Sequence, residues 1–265
     1  MAVYTVSDLH GHYDLFRKGL ETIGFSDADE LYVLGDVIDR GAEGIKLLRY
    51  IRDHKNMDLL LGNHEHMMLH SVDRSGRALC SGIDSVIWLD YNGGEVTFAH
   101  YAALTEGARK RLLGWLRNRY VVKTLEVNGR NFCLSHSFFD EELINLRYRY
   151  AEDHAVYNVV WRSIYREEPG TNAVDLYDQY DYTFISGHVP VQYVKCYYGG
   201  GQVPPGLTAL WHGNMVDIDG GCSYGEHFDD GTPEHENGML FLRLDDLKEF
   251  PVRFWQAPKH MEEQR

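Results

Sequence analysis

Cysteine is sparse and scattered: Cys80, Cys133, Cys196 and Cys222 form no C-x-x-C pair and no dense framework. That spacing excludes a disulfide-stapled scaffold, and the four are expected to be reduced and structural. Long apolar runs are missing too. No stretch of eighteen apolar residues occurs, and Met1-Ala-Val-Tyr-Thr-Val leads straight into a charged motif, without the basic start of a secretory signal. The expectation is a cytoplasmic protein with no membrane partner. Basic residues are in deficit, with 26 Lys and Arg against 40 Asp and Glu, for a formal charge of −14. Such a molecule repels polyphosphate backbones at long range, which argues against nucleic acid as a partner.

What is present reads as one α/β domain over residues 1–265, long enough for a sizeable core. The first third alternates strand-like and amphipathic stretches: Ala2 to Val6, Tyr13 to Ile23, Glu30 to Leu34, Gly44 to Asp53 and Met57 to Leu61. This β-α-β-α-β rhythm predicts a parallel sheet, whose ligand-binding residues gather beyond the carboxyl ends of its strands. Each of the three strands ends in a polar motif. Residues 66 to 120 turn helical, broken by Asn92-Gly93-Gly94, and read as a helical insertion. Asn128-Gly129 between two β-like runs then predicts a hairpin ending in His136, and Tyr182 to Ser186 delivers His188 at a further strand end. Gly199-Gly200-Gly201 followed by Pro204-Pro205-Gly206 reads as a surface loop.

The chemistry lies in Asp8-Leu9-His10-Gly11, in Gly35-Asp36-Val37-Ile38-Asp39-Arg40-Gly41, in Gly62-Asn63-His64-Glu65, and in the strand-end histidines His136 and His188. Carboxylates and imidazoles without thiolate suit Mn, Fe or Zn rather than an iron-sulfur or structural zinc site. Two divalent ions need a bridging carboxylate, and Asp36 is the natural candidate.

These motifs resemble those of the calcineurin-like metallophosphoesterases, in particular the Ser/Thr protein phosphatase branch with its bacteriophage-type members. The resemblance implies a metallophosphoesterase β-sandwich with flanking helices. It also implies two divalent ions, manganese foremost, with Asp8 and His10 on the first, Asp36 bridging, and Asn63, His136 and His188 completing the second. By the same resemblance a water held between the ions attacks phosphorus. His64 is then the general acid, Asp39 orients it, and Arg40 clamps phosphate. A positioned imidazolium matters because a departing alkoxide is a strong base, and a guanidinium fork matches phosphoryl oxygens. Trp88, Asn92-Gly93-Gly94, Thr97, Gly114-Trp115-Leu116 and Asp217 to Cys222 add to the resemblance without a chemical role. The implied activity is a serine/threonine phosphoprotein phosphatase acting on a phosphoprotein or small phosphate ester. The alternatives are a diadenosine tetraphosphatase-like hydrolase and a metal-binding scaffold with little catalysis.

Three stretches depart from the family pattern. Arg117-Asn118-Arg119-Tyr120 stands where Leu-Pro is usual, Ser137-Phe138 where Ala-Gly is usual, and Trp161 is followed at once by Arg162. The family's second phosphate-binding arginine usually lies two residues past the Trp, so Arg162 is the candidate here, with Arg166 as its rival. Two further histidines, His66 and His70, are expected on an exposed helical face, too few in number to hold a metal. The run from Glu226 to Glu236 is expected to be a solvated acidic loop. Neither Ser7 nor Ser135 sits in a G-x-S-x-G elbow, which leaves a serine-hydrolase reading without support.

Overall fold

In this computed structural model the central strands are buried on both faces, and successive side chains enter different cores. The structure describes residues 1–76, 82–163, 177, 179–198, 206–225 and 236–254. Strands β1 (Val3–Val6), β2 (Glu30–Val33) and β3 (Met57–Leu59) run parallel, joined through helices α1 (Tyr13–Thr22) and α2 (Gly44–Asp53). The β-α-β-α-β reading therefore holds to within about two residues at each boundary. Strands β9 (Gly238–Arg243) and β10 (Lys248–Arg253) extend this sheet antiparallel, in the order β10-β9-β1-β2-β3. A second sheet, β4-β5-β6-β8-β7, is built from β4 (Val122–Val127), β5 (Arg130–Ser135), β6 (Thr183–Ser186), β7 (Leu210–His212) and β8 (Met215–Asp217). Within it β5, β6 and β8 are parallel neighbours.

One residue of each pair points between the sheets and the next points outward. Val3, Leu240, Leu242, Phe132, Leu134, Ile185 and Val216 share one buried cluster. Tyr4, Met239, Phe241, Cys133, Phe184 and Met215 belong to another, which includes the buried faces of α1 and α2. This is sheet-on-sheet packing with helices covering the outer face. The predicted hairpin forms at Asn128-Gly129, where both residues take positive φ, as a two-residue turn with right-handed strand twist demands.

The helical insertion comprises α3 (Asn63–Ser71), α4 (Ile83–Val86) continuing into a π-helical turn at Ile87–Tyr91, α5 (Gly94–Ala102) and α6 (Glu106–Leu116). Helix α7 (Asp153–Trp161) packs on α3, and α8 spans Val191–Tyr198. That packing corrects the expectation for His66, which is 5% exposed beneath α7 instead of facing solvent. Cys133 and Cys222 are buried and, with Cys196, carry free thiols. Cys80, residues 199–205 and residues 226–235 lie outside the described residues, and with them most of both predicted surface loops. No helix among the described residues is long and apolar enough to cross a membrane.

Candidate metal centre

Because β1, β2 and β3 in one sheet and β5, β6 and β8 in the other each run parallel, the carboxyl ends of both sets can meet along one edge of the sandwich. Asp8 and His10 follow β1, and Asp36, Asp39 and Arg40 follow β2. Asn63 and His64 open α3 just after β3, while His136 follows β5 and His188 follows β6. Backbone bonds lace the first two loops together: the Asp8, His10 and Gly11 N–H groups donate to the Gly35, Asp36 and Val37 carbonyls at 3.2, 2.9 and 2.9 Å. The second sheet is tied in by the His188 N–H, which donates to Asp8 Oδ2 at 3.0 Å.

The loops are strained. Asp8, His10, Asp36, Asp39, Arg40 and His188 all have left-handed backbones, with φ of 56°, 40°, 51°, 70°, 67° and 76°. Such conformations cost about 1–3 kcal/mol each and persist only where the surroundings impose them. Gly35 is forced by close approach as well as by its φ of +91°, since a Cβ there would sit 2.6 Å from Gly62 Cα.

The six predicted ligands converge. Asp36 Oδ2 lies 3.8 Å from His10 Nε2 on one side and 3.5 Å from His136 Nε2 on the other. Asp36 thus belongs to two groups able to hold an ion, His10-Asp36-His64 and Asp36-His136-His188. Asp8 Oδ1 is 3.9 Å from His10 Nε2, and Asn63 Oδ1 is 2.9 Å from His136 Nε2 and 3.1 Å from His188 Nδ1. The Nδ1 atoms of His10 and His136 face the carbonyls of Ile38 and Leu34 at 3.2 and 2.7 Å. A carbonyl can only accept, so each Nδ1 carries the proton and each Nε2 keeps a lone pair for a cation.

The electrostatics fit a cation as well. Burial pushes Asp8 up to about 6, and burial with the charge of Asp36 pushes Glu65 up to about 7. Asp217 and Asp219, both buried, are raised well above the carboxylate range by burial, with Asp8 adding to each. Burial, then the charges of His64 and Arg40, hold His10 well below its ordinary value. The raised buried carboxylates lack compensating positive charge and the neutral His10 keeps a lone pair, and divalent ions on this oxygen and nitrogen set would supply the first and use the second.

Beside this cluster, His64 Nδ1 hydrogen-bonds Asp39 Oδ2 at 2.7 Å, and the same oxygen accepts the Trp88 indole N–H at 2.8 Å. Desolvation opposes charge on His64, but Asp36 and Asp39 overcome it and raise its pKa. The Asp39 N–H donates to Thr97 Oγ1 at 2.9 Å, and the Arg40 N–H to the Gly93 carbonyl at 3.1 Å. A Cβ on Gly94 would press within 2.5 Å of the Trp88 indole nitrogen. Trp88, Gly93-Gly94 and Thr97, which in the sequence only strengthened a resemblance, are the scaffold of Asp39 and Arg40. Glu65 was also missed. Its carboxylate accepts the N–H groups of Asp36, Val37 and Gly62 at 2.8, 2.8 and 3.1 Å, pinning two ligand loops to one side chain. Its position three residues past Gly62, as in a capping box, was the available signal.

The departures at Ser137-Phe138 and Arg162 are one feature. Ser137 Oγ donates to the Arg162 carbonyl at 2.8 Å, and the Arg162 guanidinium lies over the Phe138 ring at 4.5 Å. Trp161 packs edge-on to His188 at 6.5 Å and stacks on Tyr157, which is 53% exposed. Arg166 lies outside the described residues. The departure at Arg117 to Tyr120 serves the scaffold: Arg119 pairs with Asp58, and Tyr120 bridges Leu60 and Arg147.

The family profile described as calcineurin-like phosphoesterase matches residues 1–214. The chain belongs to that family. Among curated relatives, the symmetrical bis(5'-nucleosyl)-tetraphosphatase of Nitrosospira multiformis is 31% identical over 140 residues, covering 52% of this chain and 43% of that protein. Its counterpart in Actinobacillus pleuropneumoniae is 41% identical over 74 residues, 27% of either chain. The matched region thus spans less than half the length of these relatives. In fold, the chain resembles a metallophosphoesterase from Sphaerobacter thermophilus, with TM-score 0.56, 15% identity and coverage of 97% and 90%. It also resembles a point mutant of a cold-active protein tyrosine phosphatase, with TM-score 0.51, 18% identity and coverage of 94% and 80%. The phosphoesterase expectation holds, while the curated relatives favour the dinucleoside tetraphosphate alternative over the phosphoprotein reading.

Proposed function

We propose that this phosphoesterase hydrolyses dinucleoside polyphosphates, cutting a phosphoanhydride in the middle of the chain. The observation that carries the reading is the aromatic ledge of Trp161 and Tyr157 beside His188, next to the exposed Arg162. A nucleobase stacks on such a ledge for about 1–3 kcal/mol, and guanidinium groups at Arg40 and Arg162 match a polyphosphate held across the cluster. The bis(5'-nucleosyl)-tetraphosphatase relatives support the same substrate class.

Asp8, His10, Asp36, Asn63, His136 and His188 would hold two divalent ions, with Asp36 between them; manganese is our first choice. When bound, such ions supply a water acidified to near neutrality and positive charge for the phosphoryl oxygens. The chain's own residues do the rest. Arg40 and Arg162 orient the phosphates, and their charges offset the negative charge gathered on the transferring group. His64, protonated through Asp36 and Asp39, presents Nε2 toward the cluster, 3.8 Å from Asp36 Oδ2, where it can give a proton to the departing oxygen. Asp39, held by Trp88 and Thr97, keeps the imidazole in that orientation.

The completeness of the His64-Asp39-Trp88 unit favours a second reading, a phosphoserine or phosphothreonine phosphatase, because an alkoxide needs that proton far more than a departing nucleotide phosphate does. Diadenosine tetraphosphate and a phosphothreonine peptide, each offered with Mn²⁺ and followed by chromatography, separate the two. Release of two ADP per tetraphosphate at a kcat/KM well above that for the peptide supports the proposal. The reverse ranking overturns it in favour of the phosphatase, and loss of neither substrate returns the chain to the scaffold alternative.

A further inference from the structure

We propose that His66, His70 and Asp153 form a separate site for one divalent transition-metal ion, which ties helix α3 to helix α7. His66 and His70 are four residues apart on α3, so their rings lie on one face one turn apart, the spacing by which a helix offers two imidazoles to a single ion. Their ring centroids are 4.4 Å apart. Asp153, the first residue of α7, completes the set. Its Oδ1 is 3.1 Å from His66 Nε2 and 2.9 Å from His70 Nε2, and the three ligand atoms all lie within 4.8 Å of one another. The ligands of the strand-end cluster stand at similar separations, from 2.9 Å between Asn63 and His136 to 3.9 Å between Asp8 and His10.

The surroundings are built. His66 is buried, with Tyr148 and Tyr157 edge-on to its ring at 5.9 and 6.5 Å, so its direction is fixed by packing. The Tyr148 hydroxyl stands 3.4 Å from His70 Nε2. Two imidazole nitrogens and one carboxylate oxygen select Zn²⁺, Co²⁺ or Ni²⁺ over Mg²⁺ or Ca²⁺, and three protein ligands leave a fourth position for water. The helices it joins are not arbitrary. Helix α3 begins at Asn63-His64, and α7 ends at Trp161 with Arg162 next, so an ion here fixes the helix that carries His64 against the helix that carries Trp161.

The test is a count of bound Co²⁺ after chelator treatment, by metal analysis of desalted protein and by visible absorption, on wild type, His70→Gln and Asp153→Asn. Wild type is expected to hold one more equivalent than either variant, with a visible band that both variants lose. Added Zn²⁺ should raise the Tm of wild type more than that of either variant. Far-UV circular dichroism verifies folding, and the wild-type count stands whatever the variants do. A wild-type chain saturating at two Co²⁺, or folded variants binding as many as wild type, overturns the proposal. Because the readout is a metal count, it is independent of which phosphate ester the protein hydrolyses.

Discussion

Among the described residues the same side chains, histidine and aspartate, are gathered at two places, on opposite kinds of backbone. At the strand ends Asp8, His10, Asp36 and His188 occupy left-handed conformations and are held by a lattice of backbone bonds and by Glu65. At the α3–α7 contact, His66, His70 and Asp153 sit on regular helix, with His70 one third and Asp153 over half exposed. The first cluster is a rigid rim that spends strain on geometry, as catalysis requires. The second needs no left-handed backbone at His66, His70 or Asp153.

Asp36→Asn has the largest expected effect, because it removes the one carboxylate shared by the two groups of the rim that could hold an ion. Mn²⁺-dependent hydrolysis of para-nitrophenyl phosphate should fall to background, and turnover that survived unchanged would sink the two-metal reading. Next comes His64→Asn, expected to lower kcat by about 10²- to 10⁴-fold on a phosphothreonine peptide and less on a tetraphosphate, whose departing group is a weaker base. Equal losses on both substrates would overturn the assignment of His64 as proton donor to the leaving group. Glu65→Gln and Trp88→Phe leave every proposed ligand in place, the first loosening the loops that carry Asp36 and Asn63 and the second loosening Asp39, the partner of His64. Each should cost about 10- to 100-fold in metal affinity or activity, with metal titration separating the first from the second. Gly94→Val drives a side chain into the Trp88 indole and should destabilise the fold by about 1–3 kcal/mol, read from the denaturation midpoint. Smallest is Asp153→Asn, which strips the helical cluster yet should alter turnover with saturating Mn²⁺ less than any change above.

The rim was legible in the sequence because each of its ligands stands within four residues of the end of an apolar run, and a sharp exit from a strand leaves a short, readable motif. What surrounds it was not. Trp88 and Thr97 lie 49 and 58 positions from Asp39, and no local pattern announces that an insertion folds back to hold that carboxylate. Likewise Asp153 is 87 residues from His66, so the helical pair looked like an exposed face short of a ligand. Ser137-Phe138 and Arg162 read as separate oddities until β5 and α7 brought them together. Periodicity reports which face of an element is buried, not which distant element buries it.

Strand β1 lies between β2, which follows it within about thirty residues, and β9, which is more than two hundred residues away. On the ribosome, then, the strand that carries Asp8 and His10 emerges long before β9, the second neighbour that closes its other edge. His136 and His188, and with them the full set of proposed ligands, also arrive in the interval. Metal loading at the proposed site would therefore have to wait until residue 188 has emerged, and a nascent chain stalled before it should hold the rim's motifs without its affinity.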